Sequence, residues 1–184
     1  MRYIGFQHLA QMKSLKSLSV EAVYTMPNNF ARFFSLENFG GLESLSLSFH
    51  AMTDDCLHTV ANACPNLKHF AVREVSCYSV ATDDGVRSII QACSKLESLT
   101  ISGSRVLTEQ CLDNILTHLP LLRDLTVQDC ASISSEVLER LVKKSGQALK
   151  VYKDLVLITK LQQNTNIEDL FCDKTKPVMN VWFC

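Results

Sequence analysis

The chain has 184 residues, with 18 Lys and Arg against 19 Asp and Glu for a net charge of −1, and 47% of its residues are hydrophobic. That is one domain's worth of chain with enough apolar material for a core. A near-neutral balance argues against the clustered basic surface that a nucleic-acid or anionic-membrane binder needs. No apolar run approaches the roughly 18 residues of a membrane span, and Met1–His8 lacks the apolar core of a signal peptide, so a cytoplasmic or nuclear protein is expected, with neither nucleic acid nor membrane as partner.

Taken in order, residues 1–14 (Ile4, Gly5, Phe6, Leu9, Ala10) read as the helix half of a strand–helix unit. Leu15, Leu18 and Val20 then signal a strand, and Asn28 and Asn29 precede Phe30, Phe33 and Phe34, a heavy helical stripe expected to fill the core on the helix side. The stretch from residue 42 is cleaner. Leu42, Leu45 and Leu47 form a strand signal, Thr53-Asp54 a helix cap, and Leu57, Val60, Ala61 and Cys64 follow with helical spacing. The next unit has Leu67, Phe70 and Val72, a longer loop over Val75–Ala81 that carries Tyr78, and a cap at Thr82-Asp83. Leu96, Leu99 and Ile101 lead to Thr108-Glu109, and Leu122, Leu125 and Val127 lead to Ser134-Ser135, with Lys143 and Lys144 as a solvated helix end. Leu149 opens a weaker sixth copy with Tyr152 in the place of the second leucine, and Leu155–Ile158 reads as a final strand or a capping helix. Residues 160–184 are polar, then apolar from Val178 to Phe183. They form a C-terminal cap over the last unit or a disordered remnant.

The leucine triplets start at 15, 42, 67, 96, 122 and 149, at separations of 27, 25, 29, 26 and 27 residues. One strand and one helix in about 25 residues cannot bury a core alone, so such units must stack. The caps recur as well: each hydroxyl can accept from a first-turn amide, and the following acid suits the positive end of the helix dipole.

Thr82-Asp83-Asp84-Gly85-Val86, Ala63-Cys64-Pro65-Asn66-Leu67, Ala92-Cys93-Ser94-Lys95-Leu96 and the run from Cys130 to Ser134 resemble the cysteine-containing leucine-rich repeats of F-box receptor proteins. The resemblance covers roughly residues 1–150. It implies an α/β fold, a leucine-rich-repeat solenoid of about five to six repeats, with a curved parallel sheet on the concave face and helices on the convex face. The solenoid is expected over 15–159, after a partial repeat at 1–14. Members of that family present substrates to cullin-type ubiquitin ligases through a separate N-terminal F-box. No Leu-Pro-x-Glu stretch occurs in this chain, so a cullin link is expected only through sequence upstream, and a fragment, short isoform or imperfect gene model is the expected origin of the chain.

Eight cysteines are present without a C-x-x-C pair. Cys56 and Cys111 share one slot of the unit and Cys64 and Cys93 another. Equivalent sites on packed helices lie about 8–10 Å apart, beyond the roughly 7 Å that a disulfide tolerates, so reduced, buried thiols are expected.

Residues alternating with the leucines should face the opposite side of the sheet. They are Ser17, Ser44, His69, Ser98 and Asp124; Ser19, Ser46, Ala71, Thr100 and Thr126; and Glu21, Ser48, Arg73, Ser102 and Gln128. Most are small hydroxyl residues suited to a structural ladder. His69, Arg73, Asp124, Gln128 and Asp129, with Tyr78 from the long loop, stand out as a mixed-sign patch for a protein partner, with Arg73 as anchor. No catalytic, nucleotide or zinc-protease motif occurs, the five histidines are scattered, and neither catalysis nor a cofactor is expected. Two functions remain open: the substrate-recognition part of an F-box-type ubiquitin ligase receptor, or a scaffold with no ubiquitin role.

Overall fold

The computed structural model describes residues 14–22, 39–49, 52–74, 81–146, 148–154, 156–158 and 178–183. In chain order the elements are β1 (Ser17–Ala22), β2 (Ser44–Phe49), α1 (Asp54–Ala63), β3 (His69–Glu74), α2 (Asp83–Ala92), β4 (Ser98–Ser102), a 3₁₀ turn (Glu109–Leu112), α3 (Ile115–His118), β5 (Asp124–Gln128), α4 (Ser135–Lys144), β6 (Lys150–Lys153), β7 (Val156–Leu157) and β8 (Val178–Phe183). The strands make one eight-stranded sheet in the order β7-β6-β5-β4-β3-β2-β1-β8. Every pairing is parallel except β6 with β7. This is the expected α/β architecture, a mostly parallel sheet with helices.

The leucine positions of β1 to β5, Leu18 and Val20 through Leu125 and Val127, are at most 3% exposed, and each pairs in register with its counterpart on the next strand. Burying such a side chain contributes about 2 kcal/mol. From β1 to β6 strand order follows chain order with parallel pairing, so right-handed crossovers carry the helices between them to one face of the sheet. Leu57, Val60, Val86, Ile89 and Ile90 join the same core from α1 and α2.

Three of the four cap hydroxyls also donate to an acid of the previous unit. Thr82 Oγ1 accepts from Asp84 N and donates to Asp54 Oδ2 of the previous unit at 2.8 Å, while Thr82 N donates to Asp54 Oδ1 at 2.7 Å. Thr108 bonds Asp83 in the same way, at 2.8 Å from its amide and 2.5 Å from its hydroxyl. Ser134 does so with Glu109, whose carboxyl these bonds hold below the usual glutamate range. The acid after each cap thus clamps the next helix start, a role the dipole argument did not foresee. The series ends at α4, where Ser135 takes the acid's place. Gly85 N also donates to Asp54 Oδ1, and a Cβ on Gly85 would meet that oxygen at 2.4 Å, which explains the glycine in a slot where other units carry Cys56 or Cys111.

Ahead of the strands runs a row of alternating charge: Lys16, Glu43, Lys68, Glu97 and Arg123, linked by backbone bonds such as Lys68 N to Glu43 O. Glu43 accepts from Lys68 at 2.8 Å and lies 3.0 Å from Lys16. These two ammonium groups, Lys68 foremost, bring its carboxyl down to about 2.

Several expectations need correction or placement. The helix after Thr108 is broken into the 3₁₀ turn and α3, with Asn114 at φ 59, a conformation Asn tolerates. The sixth strand is offset by one residue: Asp124 pairs with Lys150 and Thr126 with Tyr152, so Tyr152 stands on the polar face rather than in the leucine row. Val156 and Leu157 form a short antiparallel strand after a left-handed turn at Asp154 (φ 48). Val178–Phe183, read as part of a cap over the last unit or of a disordered remnant, instead pairs with β1, at the opposite end of the sheet from that unit. Phe30, Phe33, Phe34 and the Val75–Val80 part of the long loop lie outside the described residues.

Among the described residues Cys56, Cys64, Cys93, Cys111 and Cys130 are all buried, and Cys64, Cys93, Cys111 and Cys130 are free thiols. Burial pushes the thiols of Cys64, Cys93 and Cys111 up to about 12, and raises that of Cys130. Since the thiolate is the nucleophile, a maleimide at neutral pH should leave these four unlabelled in the folded protein and label all of them in denaturant, as read by peptide mass spectrometry. Labelling of any of the four under native conditions contradicts this burial.

Candidate partner-binding face

The face opposite the leucines is built from the alternate residues of the strands, and the pairing register aligns them in rows. Ser17, Ser44, His69, Ser98, Asp124 and Lys150 lie side by side on successive strands. A second row runs Ser19, Ser46, Ala71, Thr100, Thr126 and Tyr152, and a third runs Glu21, Ser48, Arg73, Ser102 and Gln128. Successive strands are about 4.8 Å apart, so His69 and Asp124 are separated by roughly 10 Å, and Arg73 and Gln128 likewise.

Of the predicted residues, His69 and Arg73 are exposed on β3, and Arg73 makes no ion pair within the described residues. Asp124 is partly buried, and its Oδ1 is buried without a hydrogen-bond partner among the described residues. Gln128 is partly buried in the same row as Arg73. Asp129 lies just beyond β5 with φ 53, exposed, its amide donating to Asp154 Oδ1 at 2.8 Å. The register therefore brings His69 with Asp124 and Arg73 with Gln128, while Asp129 belongs to the turn at the strand end. Tyr78 lies outside the described residues.

Two residues of this face escaped the sequence reading. Lys150 and Tyr152 stand on it because β6 is shifted by one position, and a one-residue slip exchanges every inward and outward side chain. The signal was Val151, the aliphatic residue within Lys150–Lys153 and fully buried. Burial raises the Tyr152 phenol, and the charge of Asp124 raises it further.

No group of three His, Cys, Asp or Glu side chains among the described residues is placed to hold a metal ion. Nor is any helix among them long and apolar enough to cross a membrane. What the face offers is a shallow, polar, regularly spaced surface with a guanidinium and a carboxylate that the described fold leaves uncompensated. A scan against protein-family models matches none, and a search of curated proteins finds no significant match to this chain.

Proposed function

We propose that the chain is a protein-recognition module built as a cysteine-containing leucine-rich-repeat solenoid, whose sheet lines a concave docking face. In this reading it is the substrate-recognition part of an F-box-type ubiquitin ligase receptor, acting in the cytoplasm or nucleus, where buried free thiols stay reduced. The reading rests first on the sequence resemblance. The carrying structural observation is the polar face itself: in-register rows across β1 to β5 in which most residues are Ser or Thr, with Arg73 exposed among them and without an ion pair among the described residues. A forked guanidinium of this kind binds carboxylates in two-point fashion and anchors many protein interfaces.

Affinity capture from lysate tests both parts. A form extended by the upstream-encoded sequence should recover a cullin and its adaptor, and both forms should share one further protein, the candidate substrate. If both recover one shared complex and neither recovers ligase components, the scaffold alternative replaces the receptor reading. Arg73→Ala should reduce recovery of the shared protein roughly tenfold or more with an unchanged thermal midpoint, because the side chain is exposed. Undiminished capture by that variant removes Arg73 as the anchor.

A further inference from the structure

The net charge of −1 conceals an uneven distribution. The helix starts are acidic, with Asp54 and Asp55 on α1, Asp83 and Asp84 on α2, Glu109 on the 3₁₀ turn and Glu136 on α4. Cations gather at the opposite end, where helices stop and strands begin, over the last three units. Lys95, Arg123, Lys143, Lys144 and Lys150 are all exposed there. None of the five forms an ion pair among the described residues, and Lys95 donates to the neutral Asn66 Oδ1 at 2.7 Å. The carboxylates of these units on the same side are Glu97 and Asp124, both half-buried, and Glu139, one helical turn before Lys143.

The backbone fixes this grouping. Arg123 N donates to Glu97 O at 2.8 Å and Lys150 N to Arg123 O at 2.7 Å, so the approaches to β4, β5 and β6 lie side by side. Gly146 N donates to Lys143 O and Leu149 N to Ser145 Oγ, a tight turn that sets the end of α4 against the start of β6. The helix dipole favours cations at the end of α4. It does not account for the whole group, because α1 and α2 carry no basic residue in their last turns and Arg123 and Lys150 lie at strand starts. The alternation of Lys16, Glu43, Lys68, Glu97 and Arg123 calls for an acid next, and the next position is buried Leu149, followed by Lys150. Leu121 stands two residues before Arg123 as Lys95 stands two before Glu97, and it is 51% exposed.

We propose that this end of the last three units docks an acidic segment of a protein partner, its carboxylates over the cations and an apolar side chain over Leu121. Charge complementarity sets the sign of the partner. An exposed leucine with no aromatic residue beside it in the group suits a peptide rather than a single-stranded nucleic acid, whose bases stack on aromatic rings. The surface is separate from the polar face proposed above, since Arg73 lies toward the far end of β3, and it stands whether or not that face docks a partner.

The test uses the full chain and a fluorescein-labelled peptide with one leucine between two runs of three glutamates, read by anisotropy at 0.15 M salt. Screening there acts over about 8 Å, so distant charge changes are damped. Saturable binding is expected, at least tenfold weaker for the same peptide with glutamines in place of glutamates. Lys143→Gln with Lys144→Gln should weaken it roughly tenfold, and Leu121→Ser about threefold. Arg87→Gln with Arg105→Gln removes equal charge toward the helix-start end and should leave the affinity within twofold, as should Arg73→Ala. If circular dichroism shows α4 fraying in the lysine variant, Arg123→Gln with Lys150→Gln puts the same question to the strand starts. Equal weakening by the charge variants of the two ends would reduce the effect to net charge and overturn the site. Loss on Arg73→Ala would move the peptide to the polar face and overturn it too, and tighter binding of an eight-nucleotide oligothymidylate would replace the acidic peptide with nucleic acid.

Discussion

Gly103→Ala destabilises the chain by about 3 kcal/mol, the largest effect expected from adding a single methyl group. Gly103 follows β4 at φ 84, in the left-handed region that a Cβ disfavours. A Cβ there would come within 2.0 Å of the Glu74 carbonyl oxygen and 3.0 Å of its carbonyl carbon. Both are backbone atoms, so no side-chain rotation relieves the clash. Gly103 N also donates to Gln128 O at 2.9 Å, so displacing it disturbs the end of β5 as well as that of β3. Urea unfolding measures the change, and a loss under about 1 kcal/mol would show that the strand end yields freely. Arg73 precedes Glu74 on the strand that must move, so weaker partner capture should accompany the instability.

Asp54→Ala comes next, with an expected loss of about 2–4 kcal/mol. Its carboxylate accepts from Thr82 N at 2.7 Å, Thr82 Oγ1 at 2.8 Å and Gly85 N at 3.1 Å. Alanine leaves two amides at the start of α2 without acceptors, and the cap loses the group that orients its hydroxyl. Asp54→Asn keeps Oδ1 for the amides and loses the acceptor facing the hydroxyl, so its cost should be smaller, about 1 kcal/mol. Asp83→Ala falls between the two, because Asp83 serves one amide and one hydroxyl of Thr108. Denaturation midpoints in the order Asn, then Asp83→Ala, then Asp54→Ala are expected. Equal losses for Asp54→Ala and Asp54→Asn would assign the effect to charge at the helix end rather than to the clamp.

The strands were legible because the leucine triplet states period, face and neighbour together. The triplets starting at 15, 42, 67, 96 and 122 pair at the spacing read from the chain. The sixth strand was not, because Leu149-Lys150-Val151-Tyr152 offers Leu149 and Tyr152 as well as Val151 to the inward set, and burial of Val151 decides only after folding. The cap residues were visible, but their acids were assigned to the nearest helix end. The partners of Asp54, Asp83 and Glu109 lie 25 to 31 residues away, beyond what local spacing reports. On the polar face, the row membership of His69, Arg73, Asp124 and Gln128 followed from strand alternation. The buried oxygen of Asp124 that lacks a donor among the described residues did not, since no pattern of residue types states whether a carboxylate finds one.

The row of alternating charge ahead of the strands bears on how the chain avoids mistakes while it folds. Strands as alike as Leu18-Ser19-Val20 and Leu45-Ser46-Leu47 offer little to tell correct neighbours from incorrect ones. Skipping one strand would set Lys16 beside Lys68, or Glu43 beside Glu97, whereas true neighbours in that row always meet as opposites. The charges thus act as a parity check on strand order, weak at any single position but repeated along the row.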